Sequence, residues 1–531
     1  MSVLVVLPVV VPLLAAGAVL VLRGRVRAQR ILALLVVAGV VADAVALVVI
    51  ADTDGPLVAN PGGWPAPIGI TLVADRLSGL LLLTSAIVTF AVLAYAIGQG
   101  VTEDTRRGNS SIFQSVYLVL VAGVALAYLT GDLFNLFVAF EVMLVSSYVL
   151  ITLDTTARRI RAGMTYVIVS MTSSLLFLTM LALVYAATGT MNLADLAGRV
   201  GELPEGLAGA LGLLALVVFG IKAAAVPLHF WLPDSYPTAP APVTAVLAAL
   251  LTKVGVYALL RTHTLVFAHD GVWKLLLVAA VVTLLVGALG ALAQDNLNRM
   301  LSYLLVSHIG YMLFGLSLFT VIGLTGVIIY MVHHIVAQAA LFLASGLITR
   351  YAGTSVPRRM GGLAAAVPVT AVLFALPALS LAGIPPFSGF VAKLTLLEAG
   401  SGVGTWPVYA AVAAGLVTSL LTLYAMVRVW TLAFWGSRRA SVPDPEPGDD
   451  LVVGTERVNR PMILATGGIV AVGLAAAVFA GPLAALSERA ADDLLEPSGY
   501  VESVLPDAVP PGHRNAVPAG HHNAVPAGAV R

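Results

Sequence analysis

The 531-residue chain contains no cysteine. That excludes disulfides, Cys-ligated zinc, iron–sulfur clusters and thiolate catalysis. Charge is scarce: 10% of residues are charged and the formal net charge is +1, which gives no electrostatic case for nucleic acid. Lysine is scarcer still. Of 28 lysines and arginines only Lys222, Lys253, Lys274 and Lys393 are lysine, and all but Lys274 lie inside long apolar segments. A GC-rich genome accounts for arginine in the loops. It does not account for the few lysines lying where insertion costs roughly 2.5–3.5 kcal/mol each. Arginine stays charged, whereas a buried lysine can release its proton. Such placement suits a chain that moves protons. No nucleotide-phosphate loop, hydrolase triad or haem motif is present; Gly-x-x-Gly-x-x-Gly at 206–212 lacks the preceding strand a nucleotide site needs and reads as helix packing.

Hydrophobic residues make up 59% of the chain, well above the ~45–50% of soluble domains. An all-α polytopic membrane protein is expected. The apolar run from Val3 to Leu22 is too long for a cleaved signal peptide, and its arginines follow it. Runs of about 20 apolar residues predict about fourteen transmembrane helices, centred near residues 12, 41, 88, 121, 143, 176, 217, 250, 282, 308, 336, 383, 420 and 471. Loops after odd-numbered helices hold Arg23, Arg25, Arg27, Arg30, Arg106, Arg107, Arg158, Arg159, Arg161, Arg299, Arg350, Arg358, Arg359, Arg438 and Arg439. Even-numbered loops hold only Arg76, Arg199, Arg261 and Lys274. The positive-inside rule then makes the odd loops cytoplasmic and puts both termini outside.

Two segments are not ordinary spans. Phe219–Asp234 carries Pro227 and Pro233 and is followed by Pro237, Pro240 and Pro242; Leu381–Lys393 carries Pro385 and Pro386. Proline removes a donor and clashes with the preceding turn, so helices 7 and 12 should break there. Paired interruptions in two halves of a chain point to inverted repeats around a midplane site. The expected organisation is 1–110 for helices 1–3, 111–265 for a first repeat of helices 4–8, and 270–435 for a second of helices 9–13. A cytoplasmic loop (436–460), helix 14 (461–486) and a polar, disordered tail (487–531) follow. The tail repeats Asn-Ala-Val-Pro-Ala-Gly around His521 and His522, a low-complexity pattern more than a metal site.

Glu141 falls near the middle of the fifth helix, where an ionisable group is functional by default. Asp132, at that helix's start, reads as an N-cap. Lys222 stands at the first break, where freed carbonyls would hold its ammonium. Lys253 is mid-helix, and Lys393 is at the second break. Between them lie His308 and the adjacent pair His333–His334, side chains poised near neutral pH. Adjacent residues point about 100° apart on a helix, so one of the pair is expected to face the path, and His334 is chosen. His229, by Pro227, is a candidate proton entry. Asp43 is expected to pair between helices. No cofactor or metal site is expected.

The stretches Pro-Leu-His-Phe-Trp-Leu-Pro-Asp (227–234) and Gly-Ile-Pro-Pro-Phe-Ser-Gly-Phe (383–390), with the glutamate and lysine placement, resemble the antiporter-like subunits shared by respiratory complex I, membrane hydrogenases and Mrp-type cation/proton antiporters. The resemblance covers about residues 60–435. The stretch 131–142, Gly-Asp-Leu-Phe-Asn-Leu-Phe-Val-Ala-Phe-Glu-Val, is most similar to the D-type subunits of the Mrp (Mnh) antiporters. It implies a proton-translocating transporter subunit, not an enzyme, working with other subunits, lipid, protons and Na⁺ or another monovalent cation. Glu141 and Lys222 would be the coupled pair, Lys253 and Lys393 the later stations. A redox-driven complex I or hydrogenase subunit is the alternative, and an inactive scaffold a third. In one place the pattern departs: where many relatives have lysine four residues after the histidine, this chain has Gln338, which does not titrate.

Overall fold

The computed structural model describes residues 2–22, 24–100, 112–153, 157–267, 272–437 and 458–506. In lipid every backbone donor and acceptor must be satisfied internally, so long apolar runs fold as helices. The chain opens with α1 (Ser2–Val21) and α2 (Val26–Thr53). A short antiparallel hairpin, β1 (Leu57–Ala59) and β2 (Leu72–Ala74), pairs Val58 with Val73. Then come α3 (Arg76–Gln99), α4 (Phe113–Leu129), α5 (Leu133–Thr152), α6 (Ala157–Thr188), short α7 (Leu193–Arg199) and α8 (Glu205–Ala223). After the one-turn α9 (Trp231–Ser235) follow α10 (Ala241–Leu265), α11 (Trp273–Leu292), α12 (Leu297–Leu318) and α13 (Val321–Ala352). The last elements are α14 (Leu363–Ala366), α15 (Pro368–Ala382), α16 (Ser388–Val403), α17 (Trp406–Val429), α18 (Arg460–Val478), α19 (Ala480–Leu495) and α20 (Ser498–Val504).

Among the described residues twelve helices are long and apolar enough to cross a membrane; α4 and α15 are apolar but shorter. The chain is thus an almost wholly helical, multi-pass membrane protein. Every residue in the most apolar window of α10 and of α13 is buried, against 33% for α2. These two helices pack on each other and form the centre of the molecule, and α13 also touches α3, α12, α15, α16, α18 and α19. Lys253 lies on α10, and His333, His334 and Gln338 on α13.

Both expected breaks are present. α8 stops at Ala223 because Ala224 turns left-handed (φ 59) and its N–H caps the carbonyls of Gly220 and Ile221. α15 stops the same way at Gly383 (φ 87), whose N–H bonds back to Leu379 and Ser380. Prolines 227, 385 and 386 lie in the turns that follow. Asp132 caps α5, accepting from the Asn135 N–H at 2.8 Å.

The structure differs from three expectations. Residues 487–506, expected in a disordered tail, continue α19 and form α20. Ala490, Ala491 and Leu494 are buried on one face. On the other, Arg489 pairs with Asp52 at 2.7 Å and Asp493 with Arg76 at 2.8 Å. The polar composition hid this amphipathic period. The remaining tail, with His521 and His522, lies outside the described residues, as does most of the 436–460 loop. Arg261, expected in a loop, is inside α10 and 5% exposed, bound to Asp75 at 2.6 Å and flanked by the rings of Tyr257 and Tyr500. Asp75 also caps α3 through Ser78, so one carboxylate serves a cap and an ion pair. Asp43 has no partner for either buried carboxylate oxygen among the described groups. Its helix has much of its surface outside the core.

Candidate functional site

α5, α6 and α8 pack side by side and bring together the first cluster. Glu141, from α5, accepts a hydrogen bond from the Ser174 hydroxyl of α6. The Lys222 ammonium, in the last turn of α8, donates to the same hydroxyl at 3.2 Å and lies 5.4 Å from the centre of the Phe140 ring. Glu141 and Lys222 are therefore joined through a serine; no direct ion pair between them occurs among the described residues. Beside Lys222 is a cavity of about 30 Å³, lined also by Tyr166, Ser170 and Trp231. That is room for water. Tyr166 is hydrogen-bonded to Ser147 at 2.7 Å, and with Ser170 it gives the cavity a polar wall.

Lys253 is fully buried and donates to the Ala248 carbonyl at 2.7 Å. Beyond it is a stack of polar rings. The His308 and His334 rings are parallel within 8°, with centroids 5.4 Å apart. His308 bonds Tyr330 through Nδ1 and the Thr422 hydroxyl through Nε2 at 3.3 Å. Both ring nitrogens of His334 are buried without a partner among the described residues. His333 points the other way, to the Ser388 hydroxyl at 3.0 Å, at the start of α16. Lys393, one turn further along α16, donates to the carbonyls of Leu381 and Ala382 at 2.9 and 3.0 Å. Its ammonium lies 5.0 Å from the centre of the Tyr311 ring.

The half-helix contact expected of Lys222 is thus made by Lys393, at the carbonyl end of α15, where the helix dipole favours a cation. Lys222 lies before its own break and reaches sideways instead. The expectation that one of the pair faces the others meets a divided geometry: their separation aims His334 at His308 and His333 at Ser388, by the second break. Gln338 is fully buried; its amide donates to the Leu301 carbonyl at 3.0 Å, and its Oε1 has no partner among the described residues. His229 lies in the turn after Pro227, its ring edge-on to that of Tyr303 and its Nδ1 buried without a partner among the described residues. Ser174, Tyr311 and Tyr330 had no sequence signal, because a hydroxyl in an apolar helix is commonplace. Among the described residues no group of three or more His, Cys, Asp or Glu could hold a metal ion.

The transmembrane family described as NADH:quinone oxidoreductase/Mrp antiporter matches residues 130–422. The chain belongs to this family. The match runs from the start of α5 into α17, and so spans every ionisable side chain of the polar line. Relatives along the whole chain are similar. The D-type subunit of the Na(+)/H(+) antiporter of Alkalihalophilus pseudofirmus is 39% identical over 508 residues, 95% of this chain and all of that protein. Its namesake from Bacillus subtilis is 36% identical, over 94% of this chain and 99% of its own. Among solved structures, a chain of the Mrp complex from Dietzia sp. DQ12-45-1b superposes with a TM-score of 0.86 at 33% identity. A chain of an archaeal membrane-bound sulfane sulfur reductase, a respiratory membrane complex, does so with 0.82 at 26%. Both superpositions cover 95% of this chain and all of the other. The protein is a membrane transporter subunit of antiporter type; the relatives named above are themselves subunits, and both superposing chains come from membrane complexes.

Proposed function

We propose that the chain is the proton-translocating subunit of a multisubunit Na⁺/H⁺ antiporter in the bacterial cell membrane, a secondary transporter and not an enzyme. Both termini face outside. The two shorter apolar helices complete fourteen spans, and residues 111–265 and 270–435 form two repeats, each with one broken helix. Protons enter near His229 and Pro227, load at Lys222 under the influence of Glu141, and pass by Lys253 to His308 and His334. They leave through Lys393, beside Pro385 and Pro386. Waters link the stations, since buried polar atoms lacking protein partners are as a rule hydrated. Proton flow is coupled to export of Na⁺ or another monovalent cation by the assembled complex in lipid.

The observation that carries this reading is the Glu141–Ser174–Lys222 cluster, continued through the buried centre of the molecule by Lys253, the stacked histidines and Lys393. A charged group in an apolar interior is costly, and a chain with four lysines uses three of them there. The second reading is a proton-pumping subunit of complex I, a hydrogenase or another redox-driven complex. It is favoured by the family's breadth and by the likeness to a respiratory reductase chain. Na⁺-dependent ΔpH in everted vesicles, with the whole complex carrying wild-type, Glu141→Gln or Lys222→Ala, tests the first reading. Loss of exchange with normal assembly is expected; unchanged exchange sinks it. A wild-type complex with no response to Na⁺ favours the redox reading.

A further inference from the structure

Ser174 behaves unlike the threonines of its helix. Thr165, Thr172, Thr179 and Thr188 of α6 each donate to the carbonyl four residues earlier, at 2.8–3.3 Å. That is the usual habit of a hydroxyl in a helix. Ser174 turns away from the Ser170 carbonyl instead. It donates to Glu141 and accepts from Lys222, so one small group holds both members of the pair. Serine has a single χ1 and three staggered wells. One well reaches Glu141; another returns the hydroxyl to the backbone. The side chain is 6% exposed, and the cavity beside Lys222 gives the neighbourhood room to rearrange.

We propose that Ser174 is the positioning residue of the Glu141–Lys222 pair: a rotor that couples the two groups when its hydroxyl faces Glu141 and uncouples them when it bonds back to the Ser170 carbonyl. This rests on the transport reading and deepens it. Glutamate and lysine in direct contact would form a tight ion pair, slow to part in a low-dielectric interior. A serine between them keeps each within one hydrogen bond of the other and lets the link open by a single bond rotation. The closed rotor satisfies both groups while both are charged. The open rotor frees Lys222 to turn to the water in its cavity.

The test uses the complete complex in everted vesicles, with Ser174→Ala, Ser174→Thr, Glu141→Gln and Lys222→Ala. Exchange rate is measured across a range of pH, and assembly is checked in the membrane. Ser174→Ala should assemble, lose roughly tenfold or more in rate, the effect of deleting a hydrogen bond to charged partners, and displace the pH–rate profile. Ser174→Thr keeps the hydroxyl and should restore both. A wild-type rate and profile in Ser174→Ala overturn the proposal. So does a lowered rate with an unmoved profile that threonine does not rescue, which marks a packing role only. If the threonine variant does not assemble, the alanine profile decides alone. Should Glu141→Gln and Lys222→Ala also exchange normally, the transport reading falls with it. If they abolish exchange while Ser174→Ala does not, only the rotor falls.

Discussion

Replacing Gly255 by alanine should disable the Glu141–Lys222 cluster without touching any of its polar groups. Gly255 lies on α10, two residues beyond Lys253, where α10 crosses α8. A Cβ there would lie 2.5 Å from the Ala223 nitrogen and 2.7 Å from the carbonyl carbon of Lys222. Ordinary carbon contacts begin near 3.5 Å, so the helices must part by about 1 Å. Backbone lies on the receiving side, and no rotamer can relieve the clash. Overpacking of this kind costs about 1–3 kcal/mol, offset by up to about 1 kcal/mol because alanine favours a helix. Transport should suffer more than stability. The Lys222 ammonium is 3.2 Å from the Ser174 hydroxyl, near the limit of a hydrogen bond. A shift of about 1 Å breaks it, and misplacement on that scale lowers rates roughly 100-fold. The assays are Na⁺-dependent ΔpH in everted vesicles and thermal unfolding of the purified complex. Gly209→Ala, whose new Cβ meets no described atom within 4 Å beyond its own stretch of helix, is the control: exchange should be unchanged and the unfolding midpoint no lower. Normal exchange by an assembled Gly255→Ala complex would refute the reasoning.

Other perturbations give separable outcomes. Asp75→Asn keeps the cap on α3 but strips the charge facing buried Arg261, so the complex should lose about 3–5 kcal/mol, read as a lowered midpoint in thermal unfolding. Gln338→Leu removes a buried acceptor with no protein partner; stability should hold within about 1 kcal/mol, while ΔpH exchange falls if the amide orders water between His334 and Lys253. Arg489→Ala breaks a half-exposed pair with Asp52, and its effect on unfolding should stay below about 1 kcal/mol, with faster amide exchange confined to α19 and α20.

The helices and breaks were legible because the physics that sets them is one-dimensional. An apolar run must satisfy its own backbone, and Pro227, Pro385 and Pro386 forbid continuation. Glu141, Lys222, Lys253 and Lys393 were legible because charge inside such a run is expensive enough to need a reason. Ser174 was not. It is 33 residues from Glu141 and 48 from Lys222, and only the packing of α5, α6 and α8 puts it between them. The roles of Lys222 and Lys393 at their breaks could not be told apart either. Each is a lysine beside prolines, and which one faces the open carbonyls depends on the side of the turn it occupies. α19 escaped notice because its apolar face is built largely of alanine, a weak hydrophobic signal. Arg261 was misplaced because its partner, Asp75, is 186 residues away.

The most direct test replaces Lys222, Lys253 and Lys393 by methionine, one at a time, and measures Na⁺-dependent ΔpH with the fully assembled complex. Methionine keeps the length and fills the site but carries no proton. A continuous proton line through the three lysines predicts that each substitution alone abolishes exchange while assembly is preserved. Exchange at the wild-type rate after any one of the three would contradict it.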